Sequence, residues 1–399
     1  MPVTISRVIQ ALEPSATMAM AAKAKQLAAA GQTVYDFSVG EPDFTTPAHI
    51  CRAAEEAIAA GHTHYTAASG IAELKAAIVR QYRERHGLEY AARQVVVSNG
   101  AKHSLHNVFT VLCDPGDEVI IPAPYWVSYA ELVKLTGAVP VIVPTLETDA
   151  FKLQPAQLRA AITPRTKIVL LCSPSNPTGS MYDRAELEAL VDLAVEHDLI
   201  LIADEIYEQL TYTPEPAVSL PTVRPGLAER TVVVNGVSKT YAMTGWRIGW
   251  TLSPPDVADA MASLQSQETS NPSSVSQYAA LAALEGPQEC VGQMLAAFRE
   301  RREFVTRRIA ELPGVTCPPM AGAFYAFMNI KAHLGRSYRG TRVDNSSQWC
   351  LALLDQQQVA TVMGSAFGAE GYVRISFATG LETLRSGFDR IEAFLASGE

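Results

Sequence analysis

Residues 199–207 read LILIADEIY, and residues 231–249 read TVVVNGVSKTYAMTGWRIG. In both segments a continuous aliphatic run, typical of a strand buried on both faces of a sheet, is followed at once by polar side chains. Asp204 and Tyr207 follow the first run, and Lys239 follows the second. A lone charge at a strand end is usually a turn residue, but a carboxylate, a phenol and an amine at the ends of neighbouring strands favour a functional site.

The chain around these segments alternates between helical and strand patterns. This alternation predicts an α/β fold class, with a mainly parallel sheet between helices and a ligand site at the carboxyl ends of the strands. Helices are predicted at 50–60, 72–86, 102–112, 124–136, 184–197 and 255–263. Strands are predicted at 94–98, 118–121, 139–143, 167–172, 199–203 and 231–235.

The pattern changes after about residue 285. The predicted elements of this part are a helix at 288–312, a strand at 324–330, a helix at 345–357, a strand at 372–377 and a helix at 382–396. A chain of 399 residues is also too long for one hydrophobic core. We therefore predict two domains, and their boundaries are 48–285 for a large domain and 1–47 with 286–399 for a smaller α+β domain. An Ala-rich helix from Met18 to Ala30 and loops at 211–226 and 269–276 complete the prediction.

Composition and charge exclude several classes of protein. Hydrophobic residues make up 48% of the chain and charged residues 18%, which is typical of a well-packed globular protein. The net charge of −9 argues against a nucleic-acid or membrane partner, and the basic cluster at 299–308 is interpreted as a solvated helix face. The sequence shows no secretory signal pattern and no run of 18 apolar residues, so we expect a cytoplasmic location. Six scattered cysteines predict reduced, mostly buried thiols, and no metal site is predicted.

Two further clusters follow predicted strands. Residues 98–102 (SNGAK) open a helix, where free backbone N–H groups and the helix dipole attract phosphate, although a simple helix cap has the same pattern. Residues 173–179 (SPSNPTG) place Asn176 at a strand end, where it either marks a turn or donates a hydrogen bond into a pocket. The motifs GxGxxG, GxxxxGK[ST], HExxH and GxSxG are absent from the sequence, which argues against dinucleotide, nucleoside triphosphate, zinc-protease and α/β-hydrolase chemistry.

With these residues in place, the chain resembles the class I (fold type I) aminotransferases, which use pyridoxal 5′-phosphate. It is most similar to the bacterial aspartate aminotransferases and their prephenate-accepting branch. The most specific segment is Ser238–Lys239 followed by Gly245–Gly249, and the resemblance also covers residues 14–17, 40–43, 124–129, 173–179 and 373–378. It implies a homodimer with shared active sites that transfers an amino group between an L-amino acid, aspartate above all, and a 2-oxo acid such as 2-oxoglutarate.

The resemblance implies a role for each residue of the site. Lys239 carries the cofactor as a Schiff base, and Asp204 pairs with the ring nitrogen. Tyr207 and Asn176 bind the phenolate oxygen, and Trp126 stacks on the ring and lies against the substrate. The groups assigned to the phosphate are Arg247, Ser238, the backbone N–H groups of Gly100, Ala101 and Lys102, and Tyr65, which reaches the phosphate of the partner subunit. The groups assigned to the substrate carboxylate are Arg374, Asn176 and the backbone of Gly40.

The remaining expectations concern proton transfer and specificity. We expect desolvation and the nearby cations of Arg247 and Arg374 to lower the pKa of Lys239, so that its amine can carry a proton. Thr17 and Lys102 match the pair that marks the prephenate-accepting branch, but a helix N-cap and a solvated lysine are equally consistent with them. An aromatic (tyrosine-type) aminotransferase and a β-lyase with the same cofactor also stay open.

One position departs from the family pattern. Relatives often carry a Ser phosphate ligand three residues before the lysine, where this chain has Gly236. Ser238 is the alternative ligand.

Overall fold

A computed structural model describes residues 3–399. Its α-helices are α1 (Arg7–Gln10), α2 (Ala16–Ala29), α3 (Ala48–Ala59), α4 (Ala72–His86), α5 (Ala101–Leu112), α6 (Ser128–Leu135), α7 (Pro155–Ala161), α8 (Arg184–Glu196), α9 (Pro255–Glu268), α10 (Ser274–Glu285), α11 (Glu289–Glu311), α12 (Ser346–Gln357) and α13 (Leu381–Ala396). Its β-strands are β1 (Tyr35–Asp36), β2 (Val95–Ser98), β3 (Glu118–Ala123), β4 (Val139–Pro144), β5 (Thr166–Cys172), β6 (Ile200–Asp204), β7 (Thr231–Gly236), β8 (Gly249–Leu252), β9 (Tyr325–Asn329), β10 (Arg336–Tyr338), β11 (Thr341–Val343), β12 (Val359–Ala360), β13 (Val362–Met363) and β14 (Tyr372–Ser376).

The largest sheet has seven strands in the order β2-β8-β7-β6-β5-β3-β4. All neighbours are parallel except the pairs that β8 makes with β7 and β2, so the predicted mainly parallel sheet is confirmed. The central strands are aliphatic because helices cover both faces of the sheet. Leu201 and Ala203 of β6 point into one core, and Ile202 between them points into the other. The carboxyl ends of β5, β6 and β7 therefore lie side by side.

A second core surrounds the three-stranded antiparallel sheet β13-β14-β9. Helices α11, α12 and α13 supply much of this core, with large side chains such as Phe298, Trp349 and Phe388. The parallel pair of β1 with β12, in which Tyr35 lies opposite Val359, attaches the N-terminal segment to this part of the molecule. The predicted domain boundaries at residues 48 and 285 stay a prediction.

The structure departs from the predicted elements in a few places. Strand β8 and helix α10 were not predicted, because β8 is only four residues long inside a Gly-containing motif and α10 begins within the Ser-rich segment interpreted as a loop. Helix α6 begins at Ser128 and not at residue 124, and the segment before it is attached to a distant part of the chain by a hydrogen bond from the Tyr125 N–H to the Phe367 carbonyl oxygen at 3.1 Å.

Two predictions about side-chain burial are wrong in part. Arg301 in the basic cluster is buried, and both of its terminal nitrogens donate to Asp43, at 2.6 and 2.9 Å. Of the six cysteines only Cys113 and Cys350 are buried, while the other four are half-buried. No helix in residues 3–399 has the length and apolar character needed to cross a membrane. In the same residues no cluster of His, Cys, Asp or Glu is arranged to hold a metal ion.

Candidate active site

A cavity of about 370 Å³ lies where the large sheet meets the three-stranded sheet. The residues on its large-sheet side follow strand ends: Asn176 comes after β5, Asp204 ends β6, and Lys239 comes after β7. Arg374 of β14 faces them from the other sheet. The other predicted site residues that line the cavity are Thr17, Gly40, Ala101, Lys102, Trp126, Tyr207, Ser238 and Arg247.

Lys239 is half-buried, and within residues 3–399 its amine makes one hydrogen bond, from Nζ to the Gly40 carbonyl oxygen at 2.7 Å. Burial lowers the pKa of this lysine to about 8, the carboxylate of Glu41 acts against that change, and the cations Arg247 and Arg374 add to it. The expected lowering, with its expected causes, is therefore found in the structure. A neutral amine is available near neutral pH, so Lys239 can act as a nucleophile or as a base.

Asp204 is only 4% exposed, and its carboxylate has two donors. The Tyr129 hydroxyl donates to Oδ2 at 2.6 Å, and the Ile206 backbone N–H donates to Oδ1 at 3.2 Å. Burial raises the pKa of Asp204, while both hydrogen bonds and the Lys239 cation act against that rise. A buried carboxylate held in this way favours a positively charged group in front of it.

Arg374 is 2% exposed and forms no ion pair with any Asp or Glu of the described residues. Its Nη1 donates to Asn176 Oδ1 at 3.0 Å and its Nη2 to the Ser38 carbonyl oxygen at 2.6 Å, while Nε has no hydrogen-bond partner among residues 3–399. The guanidinium also lies over the ring of Tyr325, at 4.6 Å from its centroid. A buried cation without a counter-ion, beside an open cavity, is a site for a carboxylate.

A second cation lies at the N-terminus of α5. Within residues 3–399, Arg247 donates only to the carbonyl oxygens of Thr244, at 2.8 Å, and Asn99, at 3.4 Å. Its guanidinium is so close to Gly100 that a Cβ on that glycine would lie 2.5 Å from Nη2. Arg247 itself adopts φ +56°, a left-handed conformation that costs energy for a non-glycine residue. Together with the free N–H groups of α5, this cation forms an anion site.

Gly236 occupies the position where relatives often carry a Ser phosphate ligand, and Ser238 is the alternative ligand. A Cβ at Gly236 would lie 2.8 Å from the Ile248 carbonyl oxygen, so the backbone leaves no room for a side chain there. Ser238 is buried and lines the cavity. Of the two positions, only Ser238 can offer a hydroxyl.

Lys102 and Thr17 lie at the mouth of the cavity. Lys102 Nζ is 5.0 Å from the centroid of the Trp126 ring, and burial together with the Arg247 cation lowers the pKa of this lysine. Thr17 is not the N-cap of its helix, because that position belongs to Ser15, whose hydroxyl accepts from the Met18 N–H at 3.4 Å. Both specificity candidates therefore face the same cavity.

Tyr65 is the one predicted side chain that lies away from the cavity. It is 89% exposed and borders an open surface pocket formed with residues 269–275. Its predicted contact with a partner subunit stays a prediction.

Sequence reasoning did not assign roles to three residues that the fold brings to this site. They are Tyr129, which binds Asp204; Tyr325, whose hydroxyl lies 2.9 Å from that of Tyr207; and Glu41, which accepts from Thr244. Tyr129 and Glu41 stand inside segments that carry the family resemblance, and that was the only signal available for them. Tyr325 comes from a distant strand, and a lone tyrosine in an apolar run is normally interpreted as core.

Comparison with known proteins identifies the family of this chain. A family model described as "Aminotransferase class I and II" matches residues 32–391. The chain is 48% identical over 391 residues to an aspartate aminotransferase of Geobacillus stearothermophilus and 47% identical over 394 residues to an aspartate/prephenate aminotransferase of Cereibacter sphaeroides, and each alignment covers 98% of both chains. The crystal structure of an aspartate aminotransferase from Rhizobium meliloti matches with a TM-score of 0.96 and 40% identity over 100% of both chains. The chain therefore belongs to the class I and II aminotransferase family and has its α/β, fold type I architecture.

Proposed function

We propose that this protein uses pyridoxal 5′-phosphate to transfer the amino group of L-aspartate to a 2-oxo acid such as 2-oxoglutarate. The observation that carries the proposal is the presence of an amine of lowered pKa, Lys239, in one cavity with two arginines, Arg247 and Arg374, that form no ion pair within residues 3–399. Two separate anion sites flank this amine, as a cofactor phosphate and a substrate carboxylate require. The names of the relatives from G. stearothermophilus and C. sphaeroides support aspartate as the amino donor.

The residues present fit this cofactor. Arg247 and the N-terminus of α5 can bind the cofactor phosphate. Because Gly100 has no side chain, its backbone can lie close to the Arg247 guanidinium and to a phosphate bound there. Asp204 matches the protonated ring nitrogen, because a buried carboxylate stabilises an opposite charge. Trp126 offers an aromatic face, and Tyr207 and Asn176 offer hydrogen bonds for the ring oxygen.

When bound, pyridoxal 5′-phosphate supplies an electron sink for the negative charge left by removal of the substrate α-proton. Lys239 would remove that proton from Cα and then donate it to the cofactor carbon that bears the nitrogen. Its pKa of about 8 leaves part of the amine neutral near neutral pH, as proton removal requires. Asp204 keeps its partner nitrogen protonated. Arg374 binds the α-carboxylate with two N–H groups and so orients the Cα–H bond relative to the ring.

Specificity for a second carboxylate is the role we propose for Lys102 and Thr17. Lys102 places its amine 5.0 Å from the centroid of the Trp126 ring, in the cavity that Thr17 also lines, where a distal carboxylate can reach it. The name of the C. sphaeroides relative supports prephenate as a second amino acceptor. An aromatic aminotransferase and a β-lyase remain as alternatives, and both differ in their products.

Further proposals concern the whole protein. A homodimer is supported by Tyr65, a large aromatic residue that is almost fully exposed in the single chain. We also propose the domain boundaries at residues 48 and 285, a role in amino-acid metabolism, and a cytoplasmic location without nucleic-acid or membrane partners. Sedimentation of the purified protein tests the dimer, and a monomer would contradict it.

The decisive experiment measures half-transamination by absorbance with aspartate, glutamate, tyrosine and prephenate as separate substrates or acceptors. Aspartate should convert the yellow form of the protein and release its keto acid. Borohydride should abolish the yellow band and leave the reduced cofactor on Lys239. Asp204→Asn should still bind the cofactor but lose activity by orders of magnitude. No conversion with any substrate, or a label on another lysine, would refute the proposal.

A further inference from the structure

Two cavity residues each have a hydrogen-bond partner behind them. Asn176 accepts from Arg374 Nη1 at 3.0 Å, and the hydroxyl of Tyr207 lies 2.9 Å from the hydroxyl of Tyr325. Asn176, Tyr207, Tyr325 and Arg374 are all buried, and all four line the cavity. The partner, Arg374 or Tyr325, has a fixed set of hydrogen-bond donors and acceptors. It therefore determines whether Asn176 or Tyr207 can donate to a ligand or accept from one.

For Asn176 the limit follows from the chemistry of arginine. A guanidinium group has donors only, so the Asn176 atom that faces it must be the amide oxygen. The amide nitrogen is thereby turned away from Arg374, and it makes no hydrogen bond to another residue in the described part of the chain. Asn176 can therefore present only N–H donors to the cavity.

For Tyr207 the limit depends on Tyr325. Burial raises the pKa of both tyrosines, so each hydroxyl carries one proton at neutral pH. Their mutual hydrogen bond uses one of these two protons. If Tyr207 donates to Tyr325, it has no proton left for a ligand, whereas if Tyr325 donates, the proton of Tyr207 is free to point into the cavity.

The surroundings of Tyr325 favour the second arrangement. The Arg374 guanidinium lies 4.6 Å from the centroid of the Tyr325 ring, and this cation is the strongest influence that opposes the rise in the Tyr325 pKa caused by burial. The same cation lowers the pKa of Tyr207 as well, but there it is the weakest of the influences. Burial and then Tyr325 itself raise the pKa of Tyr207, to well above its usual value. The more acidic hydroxyl of a pair is the better donor, so these surroundings favour Tyr325 as the donor in the 2.9 Å contact. Gly40 makes room for this hydroxyl, since a Cβ there would lie 2.6 Å from Tyr325 Oη.

We propose that Tyr325 is a positioning residue that, by donating its proton to Tyr207, commits Tyr207 to donate into the cavity. Tyr207 and Asn176 then present two donors to one negatively charged oxygen, which is the ring phenolate of pyridoxal 5′-phosphate. This inference rests on the proposed function. It adds a residue behind the cofactor-binding residues whose effect passes through another side chain.

The test is an absorbance titration of the cofactor-loaded protein without substrate. The visible band changes with a proton that the Lys239 nitrogen and the ring oxygen share. Loss of the shared proton increases the negative charge on the ring oxygen. Hydrogen-bond donors to that oxygen stabilise the deprotonated form more than the protonated form, so they lower the pKa measured from the visible band. Tyr207→Phe removes a charge-assisted hydrogen bond and should raise this pKa by about one to two units.

Tyr325→Phe should raise the same pKa by a smaller amount, about 0.2–0.6 unit, because it removes only the polarisation of the Tyr207 donor. In a Tyr207→Phe background, Tyr325→Phe should have no further effect. The matched control is Tyr212→Phe, because Tyr212 is also buried but donates to the Ala323 carbonyl oxygen outside the cavity. It should leave the titration unchanged.

Each outcome decides one point. An unchanged or lowered pKa in Tyr325→Phe, with a normal rise in Tyr207→Phe, overturns this inference alone. A lowered pKa would mean that Tyr325 competes with the cofactor as an acceptor. If the loaded protein shows no visible band, the proposed function itself fails. If the band is present but Tyr207→Phe causes no shift, Tyr207 does not donate to the ring oxygen and this inference fails while the proposed function stands. Thermal unfolding of both variants verifies that they are folded, and a double variant with the same pKa as Tyr207→Phe confirms that Tyr325 acts through Tyr207.

Discussion

Replacing Tyr129 by Phe tests whether the hydrogen bond from Tyr129 to Asp204 keeps that buried carboxylate ionised. The Tyr129 hydroxyl donates to Asp204 Oδ2 at 2.6 Å, and the only other hydrogen bond to this carboxylate within residues 3–399 comes from the Ile206 N–H at 3.2 Å. The substitution removes one oxygen atom and keeps the ring, which packs edge-on against Trp126 at a centroid distance of 5.4 Å. The loss is therefore electrostatic and not one of volume.

The size of the effect follows from the strength of that hydrogen bond. A hydrogen bond to a charged group contributes about 1.5–3 kcal/mol, which corresponds to a rise of about one to two units in the pKa of Asp204. Burial already raises this pKa, and Tyr129 is the first group that acts against the rise. Because the proposed mechanism needs ionised Asp204, activity is lost as the pH falls through its pKa, and the variant should lose activity at a higher pH.

The assay is the pH dependence of kcat for aspartate in the parent protein and in Tyr129→Phe. We expect the acid limb to move upward by about one unit and kcat on the plateau to fall about tenfold, at the low end of the range because the bond exists in both the ground and transition states. The control is Tyr90→Phe, since Tyr90 is buried and its hydroxyl has no partner among the described residues. An acid limb that stays in place, with kcat within twofold of the parent value, would refute the reasoning.

Three further predictions concern other charged groups. The rate at which cofactor-free protein takes up pyridoxal 5′-phosphate should rise with pH around a midpoint near 8, which is the pKa that burial gives Lys239. Glu41→Gln should lower that midpoint, because the Glu41 carboxylate raises the pKa of Lys239. Stopped-flow absorbance measures both midpoints, and a parent midpoint near 10.5 contradicts the assignment. Arg374→Lys should raise KM for aspartate about 10- to 150-fold, since lysine cannot make two parallel hydrogen bonds to a carboxylate, and steady-state kinetics would contradict this with an unchanged KM. Burial raises the pKa of Glu205 from 4.5 to about 8 in the folded state. Between these pH values the folded state binds one more proton than the unfolded state does. The contribution of Glu205 to the free energy of unfolding is therefore complete below about pH 4.5 and is lost as the pH rises through 8. The Tm of the parent should fall more between pH 5.5 and 8 than that of Glu205→Gln, which calorimetry measures, and equal falls would count against the prediction.

Most of the secondary structure was predictable because the large sheet is buried on both faces. Strands such as β6 and β7 must be aliphatic along their whole length, and that pattern is visible without an alignment. The shorter elements were harder to predict. Strand β8 is antiparallel between two parallel strands, and nothing in its four residues distinguishes it from the loop that carries Arg247.

The candidate site was predictable in part for a similar reason. Residues that follow strand ends, such as Asn176, Asp204 and Lys239, converge because parallel strands end at one edge. Arg374 could be assigned only through the family resemblance, since it lies in a different sheet. Its lack of a counter-ion within the described residues became visible only in three dimensions.

The sequence by itself determined the α/β class and placed Asn176, Asp204 and Lys239 directly after buried strands, because both depend on local patterns along the chain. The reactive amine of Lys239 is a prediction that rests on this placement and on the family resemblance. The tertiary structure decided what surrounds each group. Tyr129 lies beneath Asp204, and Tyr325 lies behind Tyr207, although 75 and 118 residues separate these pairs. Burial and hydrogen bonding set the protonation of a group, and both arise from packing between segments that are distant in sequence.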